Sequence, residues 1–437
     1  MSASITRRFV AALLITPALA TAQFLIDPAA ATRRLSQVSP SKSLSCDVSP
    51  IKPALSFGLR LQTGYRIRLP LNQFTGPRHR LTILTRLVSA ASDPVYLIDS
   101  LRVPPVPSNI GAASAEVGGG FFVGAGHYQV DWTLIDEQGR ACRKSWQLDA
   151  ALSRADRSVK LVMPPNTVAE LSLGGSRAVS HPDPVPPVTL TILLEAAPLT
   201  GRRTARSILS PGDQSVLLGT LSALLERIPT TSVRLVAFNL AQQKELFRSD
   251  NFSLRSLHDL AEALTQLQLS QVEYRTLQSP TGHLDLLASL INGELHARPP
   301  SDTVIFLGAR ERFYDKLKPG SIDSSAESAP KFFFLAYQPQ LAVPFSPDGP
   351  AGRGGRGGRG GGGGGIPPMA GNDGLTGGLP QDGSDTGVRP IRVSPPSEQN
   401  PFPDSVSLAV ASLKGKTIPI RTPGQFGKAI ELIERSH

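Results

Sequence analysis

Residues 180–187 read SHPDPVPP, and the apolar pattern differs on the two sides of this stretch. Four prolines in a row of eight cannot continue a helix or a central strand, so the stretch marks a break. Before it, short β-rich runs recur: LSFGLRL (55–61), YRIRLPL (65–71), RLTILTRLV (80–88) and PVYLIDSL (94–101). Each is closed by Gly, Pro or Asp, as strands are. Within 127–150, Tyr128, Val130, Trp132 and Leu134 alternate on one face. Asp136–Gly139 supplies a turn, and Cys142, Trp146 and Leu148 share a face of the return strand. This spacing predicts an antiparallel, immunoglobulin-like β-sandwich over 46–175, with both tryptophans in its core.

After the break, strands alternate with amphipathic helices. A strand at 188–194 precedes a helix at 211–228 with Ser210 as its cap and Pro211 at its first position. Strand 232–238, helices 257–268 and 283–295, strands 303–308 and 331–336, helix 405–413, strand 416–420 and helix 423–435 follow. Thr422, Pro423 and Gln425 open the last helix as a capping box. The alternation predicts an α/β domain over 188–437, its mainly parallel sheet covered on both faces.

Between about 338 and 404 the alternation stops. This stretch contains AGRGGRGGRGGGGGG (351–365) and is dense in Gly, Pro, Ser and Asp, so it is read as a disordered insertion. Arg-Gly-Gly repeats also occur in RNA-binding tails. The amino terminus argues against nucleic acid here. Arg7 and Arg8, then apolar Phe9–Ile15, then Ala18, Ala20 and Ala22 at alternate positions, read as an export signal over 1–22. Thr-Arg-Arg-Phe-Val is a weak match to a twin-arginine signal. No later run approaches ~20 uninterrupted apolar residues, so no transmembrane segment is expected after signal removal. Residues 23–45 are read as a flexible leader and 176–187 as a Pro-rich linker.

The chain carries a net charge of +10, which permits anionic partners without identifying one. Cys46 and Cys142 are the only two cysteines. In an exported chain such a pair is expected to form one structural disulfide. The protein is therefore placed in the periplasm or outside the cell.

The order PVTLTILLE, SVRLVAFN, SPTGHLDLLASLI, DTVIFLGARE and TPGQFGKAIELIE resembles the von Willebrand factor A domain. It is closer in pattern to the VWFA-related domains of exported bacterial proteins, including acidobacterial ones. The resemblance covers about 188–437 and rests on order rather than on any one specific motif. It implies a metal-ion-dependent adhesion site of three pieces. The first is Asp-x-Ser-x-Ser, and the matching positions are Glu195, Ala197 and Leu199. The second is a threonine, matched by Thr281; the third is an aspartate after the fourth-listed strand, where Ala309 stands. Divalent cations of this type take about six oxygen ligands, which a methyl and an isobutyl group cannot supply. The expectation is a lost metal site and no cofactor, with Glu195 capping the following turn.

Ligands of open parallel sheets bind beyond the carboxyl ends of the strands. The two loops there carry Arg202, Arg203 and Arg206, and Arg310 and Arg312. Guanidinium groups grip carboxylates in a bidentate manner, which makes these five candidates for holding a protein partner. The plainer reading is solvated loop residues offset by Glu195 and Glu311. Other chemistry fails its tests. G-x-S-x-G and H-E-x-x-H are absent, and Gly415-Lys416-Thr417 lacks the earlier glycine of a phosphate loop. The glycines at 118–120, 124 and 126 are read as a hairpin loop, and His283 as a surface residue at a helix start. The sequence thus predicts a non-catalytic protein-binding or scaffolding protein. Metal-dependent adhesion through a rearranged site, and an envelope hydrolase with an unrecognised site, stand as the alternatives.

Overall fold

The computed structural model describes residues 23–36, 38, 43–90, 92–171, 186–199, 209–267, 274–310, 313, 315–323, 329–338 and 404–436. The segment read as an export signal, most of the expected linker and nearly all of the expected insertion lie outside these residues.

Two antiparallel sheets form the amino-terminal half. One has the order β1 (Phe24–Ile26), β5 (Ser92–Val103), β4 (His79–Ser89), β7 (Gly126–Asp136), β8 (Ala141–Ala150). The other has the order β2 (Asp47–Leu55), β3 (Leu61–Pro70), β6 (Ser114–Val123), β9 (Val168–Glu170). Their inner faces share a core. Tyr65 and Ile67 of β3 pack with Ile83 of β4 and Trp132 and Leu134 of β7. The Tyr65 and Trp132 rings meet edge-on at 5.4 Å, the arrangement aromatic quadrupoles favour. Cys46 and Cys142 are joined in a disulfide with Cα atoms 6.2 Å apart.

The glycine run at 118–120 is not a hairpin loop, as its composition suggested. It lies inside β6, paired with Tyr65 and Gly64 of β3. A Cβ on Gly119 would stand 2.3 Å from the Tyr65 hydroxyl. Glycine is there to let a buried tyrosine lie flat on the neighbouring strand. LSFGLRL is likewise not a strand. It is the turn from β2 to β3, closed by Ser56 N–H donating to Arg60 O at 2.9 Å. The presumed flexible leader carries β1, which pairs with β5, and α1 (Pro28–Leu35), capped by Asp27.

The carboxyl-terminal half holds a six-stranded sheet. Its order is β12 (Lys244–Ser249), β11 (Thr230–Asn239), β10 (Val188–Glu195), β13 (Thr303–Ala309), β14 (Lys331–Tyr337), β15 (Lys416–Ile420). The helices around it are α2 (Pro211–Arg227), α3 (Leu257–Thr265), α4 (Tyr274–Gln278), α5 (Gly282–Leu295), α6 (Ser405–Ser412) and α7 (Pro423–Glu434). Leu190, Ile192 and Leu194 face α2, α3 and α7, while Leu193, Val236 and Phe306 face α5 and α6.

This arrangement corrects the expected fold class. Among the described residues strand outweighs helix, 42% against 27%, in three sheets, two antiparallel and one mixed. The chain is mainly β and shows no clear VWA-like α/β domain; its third sheet is mixed, with four parallel pairings and one antiparallel. One reason is β12, which runs antiparallel to β11. Its sequence, KELFRS, is a charged, half-exposed edge with little alternation, so periodicity does not find it. Periodicity also overweights long helices and misses short edge strands such as β1 and β9.

The halves share a core. Leu59, Val159 and Val162 belong to the same apolar cluster as α2 and α7. Arg60 Nη2 donates to both Glu226 carboxylate oxygens at 2.7 and 2.8 Å. Arg227 donates to Lys160 O at 2.9 Å and to Glu434 at 3.0 Å.

Candidate functional site

Two regions of the mixed sheet gather polar groups. The first is the carboxyl end of β10, where the resemblance placed a metal site. Glu195 is 2% exposed and accepts from the Leu240 N–H, at 3.1 and 3.3 Å from its two oxygens. A Cβ on Gly308 would stand 2.5 Å from the Glu195 Cβ, so glycine there admits the side chain. Ala196 N–H donates to Phe238 O at 2.7 Å, and Asn239 Nδ2 returns a bond to Ala196 O at 2.7 Å. Glu195 thus ties the ends of β10 and β11 together.

The other positions do not converge on it as ligands. Ala197, Leu199 and Ala309 are buried apolar groups. Thr281 is the N-cap residue of α5 but makes no capping bond; its hydroxyl lies 3.4 Å from Asp285 Oδ2. Among the described residues no three His, Cys, Asp or Glu side chains form a group that could hold a metal ion.

A residue the sequence reading passed over matters more here. Asp213 is fully buried and accepts from Leu199 N–H at 3.2 Å and from the Ser210 hydroxyl at 2.6 Å. It is the fourth position of the Ser210-x-x-Asp213 capping box that opens α2, so the box motif was its available signal. Asp213 ties Leu199, in the segment after β10, to the first turn of α2.

Of the five candidate arginines, Arg202, Arg203, Arg206 and Arg312 lie outside the described residues. Arg310 is half-buried at the end of β13. With the Gln338 amide oxygen turned inward, Arg310 donates to it from Nη1 at 3.2 Å and Nε at 3.3 Å. Its charge also reaches Asp404, whose carboxyl is pushed up by burial, against the opposing pull of Ser407 and Arg310. Gln338 follows β14 and Asp404 caps α6, the described residues on either side of the insertion. Arg310 therefore bonds Gln338 on one side of the insertion and acts on Asp404, on the other, through its charge.

The His283 expectation also changes. The ring is buried at 7% exposure, lies 4.0 Å from the Phe313 ring, and its Nε2 has no partner among the described residues. Burial holds its pKa below the ordinary histidine value.

The second region is a cleft of about 560 Å³ at the amino ends of β10 and β11, beside α5. Arg234 Nη1 donates to Glu294 Oε2 at 2.8 Å, and its Nε to Asp250 at 3.1 Å. Thr191 donates to the same Glu294 oxygen at 2.8 Å, and Arg248 pairs with Glu245 at 2.6 Å. The volume suits a small ligand, but each of these charged groups already has an oppositely charged neighbour, Arg234 being shared by Glu294 and Asp250.

Comparison with known proteins adds little. No family model matches the chain, and no curated protein matches it. Among solved structures, a putative ApaA protein from Bordetella pertussis is 12% identical at a TM-score of 0.17, covering 25% of this chain and 98% of that one. Spo0M, a sporulation control protein from Bacillus subtilis, is 12% identical at 0.14, covering 26% and 51%. A β-glucuronidase from Bacteroides uniformis is 8% identical at 0.18, covering 66% and 35%. Scores this low carry no argument about fold or activity.

Proposed function

We propose that this is an exported, non-catalytic protein that binds or scaffolds a protein partner. The observation that carries the reading is how the charged groups at both ends of the mixed sheet are used. Glu195 holds Leu240 N–H, Asp213 holds the loop after β10, and Arg234 and Glu294 hold each other. These groups set the shape of loops, as a platform requires, instead of standing as a free acid and base across a cleft. The disulfide supports an oxidising compartment. No helix among the described residues is long and apolar enough to cross a membrane. The partner is expected to dock at the carboxyl end of the sheet through the loop arginines, Arg310 among them.

The test compares capture of envelope proteins by the wild-type chain and by the Arg203→Glu, Arg310→Glu double variant. A partner held by the first and released by the second supports the reading. Equal capture by both removes the arginine face, and turnover of glycoside, ester or peptide substrates removes the non-catalytic assignment.

A further inference from the structure

Gln23 follows directly on Ala20-Thr21-Ala22 and is 1% exposed. A glutamine is rarely buried so fully without a reason. Its side chain enters the sandwich core, where Nε2 donates to the Tyr65 hydroxyl. Tyr65 is itself fully buried, and burial together with the Asp99 charge pushes its phenol pKa up, so it stays a neutral acceptor. Gln23 Oε1 has no partner among the described residues, so Tyr65 is the one anchor they provide. The next residues are fixed at once. Phe24 pairs with Ile98, and Leu25 N–H donates to Glu170 at 2.6 Å. Residues 23–26 are thus built into the fold.

Two small-residue pairs, Ala18–Ala20 and Ala20–Ala22, could direct cleavage. We propose that the Ala22–Gln23 bond is the maturation site, and that folding then holds Gln23 as an uncyclised amino-terminal plug. The proposal rests on the export reading above. Cleavage adds water across the bond: hydroxyl to the Ala22 carbonyl carbon, hydrogen to the Gln23 nitrogen. It must precede docking, because the bond adjoins a side chain that the folded sandwich encloses. A free terminal glutamine can then react with itself. The α-amine attacks its own Cδ, the N–Cδ bond forms, the Cδ–Nε2 bond breaks, and ammonia leaves a pyroglutamate lactam. Ring closure needs Cδ to swing back to the α-nitrogen. With Nε2 held on Tyr65, the folded chain resists that movement.

The test exports the full chain from a bacterial host and reads the terminus of the folded product by intact mass and N-terminal sequencing. A free Gln23 terminus is expected. An exported chain beginning elsewhere, such as at Thr21, overturns the proposal and leaves the export reading standing. A chain that retains Met1–Ala22 and stays in the cell overturns both. Ammonia loss is then followed in the wild-type chain, folded and in urea, and in folded Tyr65→Phe. Cyclisation should be suppressed by folding and about fivefold faster in Tyr65→Phe than in wild type, the effect of one lost hydrogen bond. Equal rates in folded and unfolded wild-type chains overturn the lock even if Tyr65→Phe does not fold.

Discussion

Arg60 and Glu226 offer the sharpest test of how the two halves are joined. Their side chains are 5% and 3% exposed, and one guanidinium nitrogen spans both carboxylate oxygens. Ser222 donates to the same carboxylate at 2.6 Å, and the guanidinium lies 5.5 Å from the Phe122 ring centre. Arg60→Met leaves a buried carboxylate with only a hydroxyl to hold it, and Glu226→Leu leaves a buried guanidinium. Breaking such a pair from one side costs about 3–5 kcal/mol. Replacing both partners with apolar groups removes both desolvation penalties, and such replacements are often neutral or stabilising. Each single variant should therefore lose about 3–5 kcal/mol in urea unfolding. At roughly 2–3 °C per kcal/mol for a chain of this size, the midpoint falls by about 6–15 °C. The Arg60→Met, Glu226→Leu double variant should return to within about 2 kcal/mol of wild type, a coupling expected of residues in contact. Single losses under about 1 kcal/mol, or a double loss equal to the sum of the singles, would refute the claim that this pair is buried and coupled.

Other consequences can be checked the same way. Gly119→Ala should cost at least about 1–3 kcal/mol by thermal melting, because its Cβ meets the Tyr65 ring and hydroxyl. Changing Cys46 and Cys142 to alanine should cost about 2–5 kcal/mol by urea unfolding, since the bridge closes a separation of 96 residues. Titrating Mg²⁺, Mn²⁺ or Ca²⁺ into the folded chain should give no saturable heat; saturable heat abolished by Glu195→Ala would reinstate a metal site. His283 has its pKa lowered by burial, so the unfolded chain takes up its proton first as pH falls. Stability should drop as pH goes below about 6.5, and His283→Phe should flatten that part of the stability–pH curve.

Some of this was legible in the residues and some was not, for identifiable reasons. Strong periodicity with a cap was readable: Ser210 and Pro211 open α2, and Thr422 and Pro423 open α7, where the sequence places them. The pairing of Cys46 with Cys142 followed from counting two cysteines in a chain read as exported. The overall class did not follow. β12 is an edge strand whose outer side needs no apolar alternation, so nothing in KELFRS announces it. Asp27 caps a helix in a stretch whose Ala, Ser and Thr content resembles a linker, and composition cannot separate the two.

The site shows a further limit. Glu195, Ala197 and Leu199 were read as departures from a ligand pattern, which tells what the loop lacks and not what holds it. That work falls to Asp213, fourteen residues from Leu199, and to Leu240 N–H. In the same way LSFGLRL reads as a strand because its apolar residues alternate, yet Leu59 takes a φ of 51° and the segment turns. The turn presents Leu59 to the core shared with α2 and α7, and Arg60 to Glu226. Its residues are there for partners far along the chain, Glu226 lying 166 residues from Arg60, beyond the reach of any local window. A mostly hydrophobic turn flanked by strands, carrying one arginine, is therefore better read as a docking element than as a strand. The cost of removing Arg60 measures whether that reading is right.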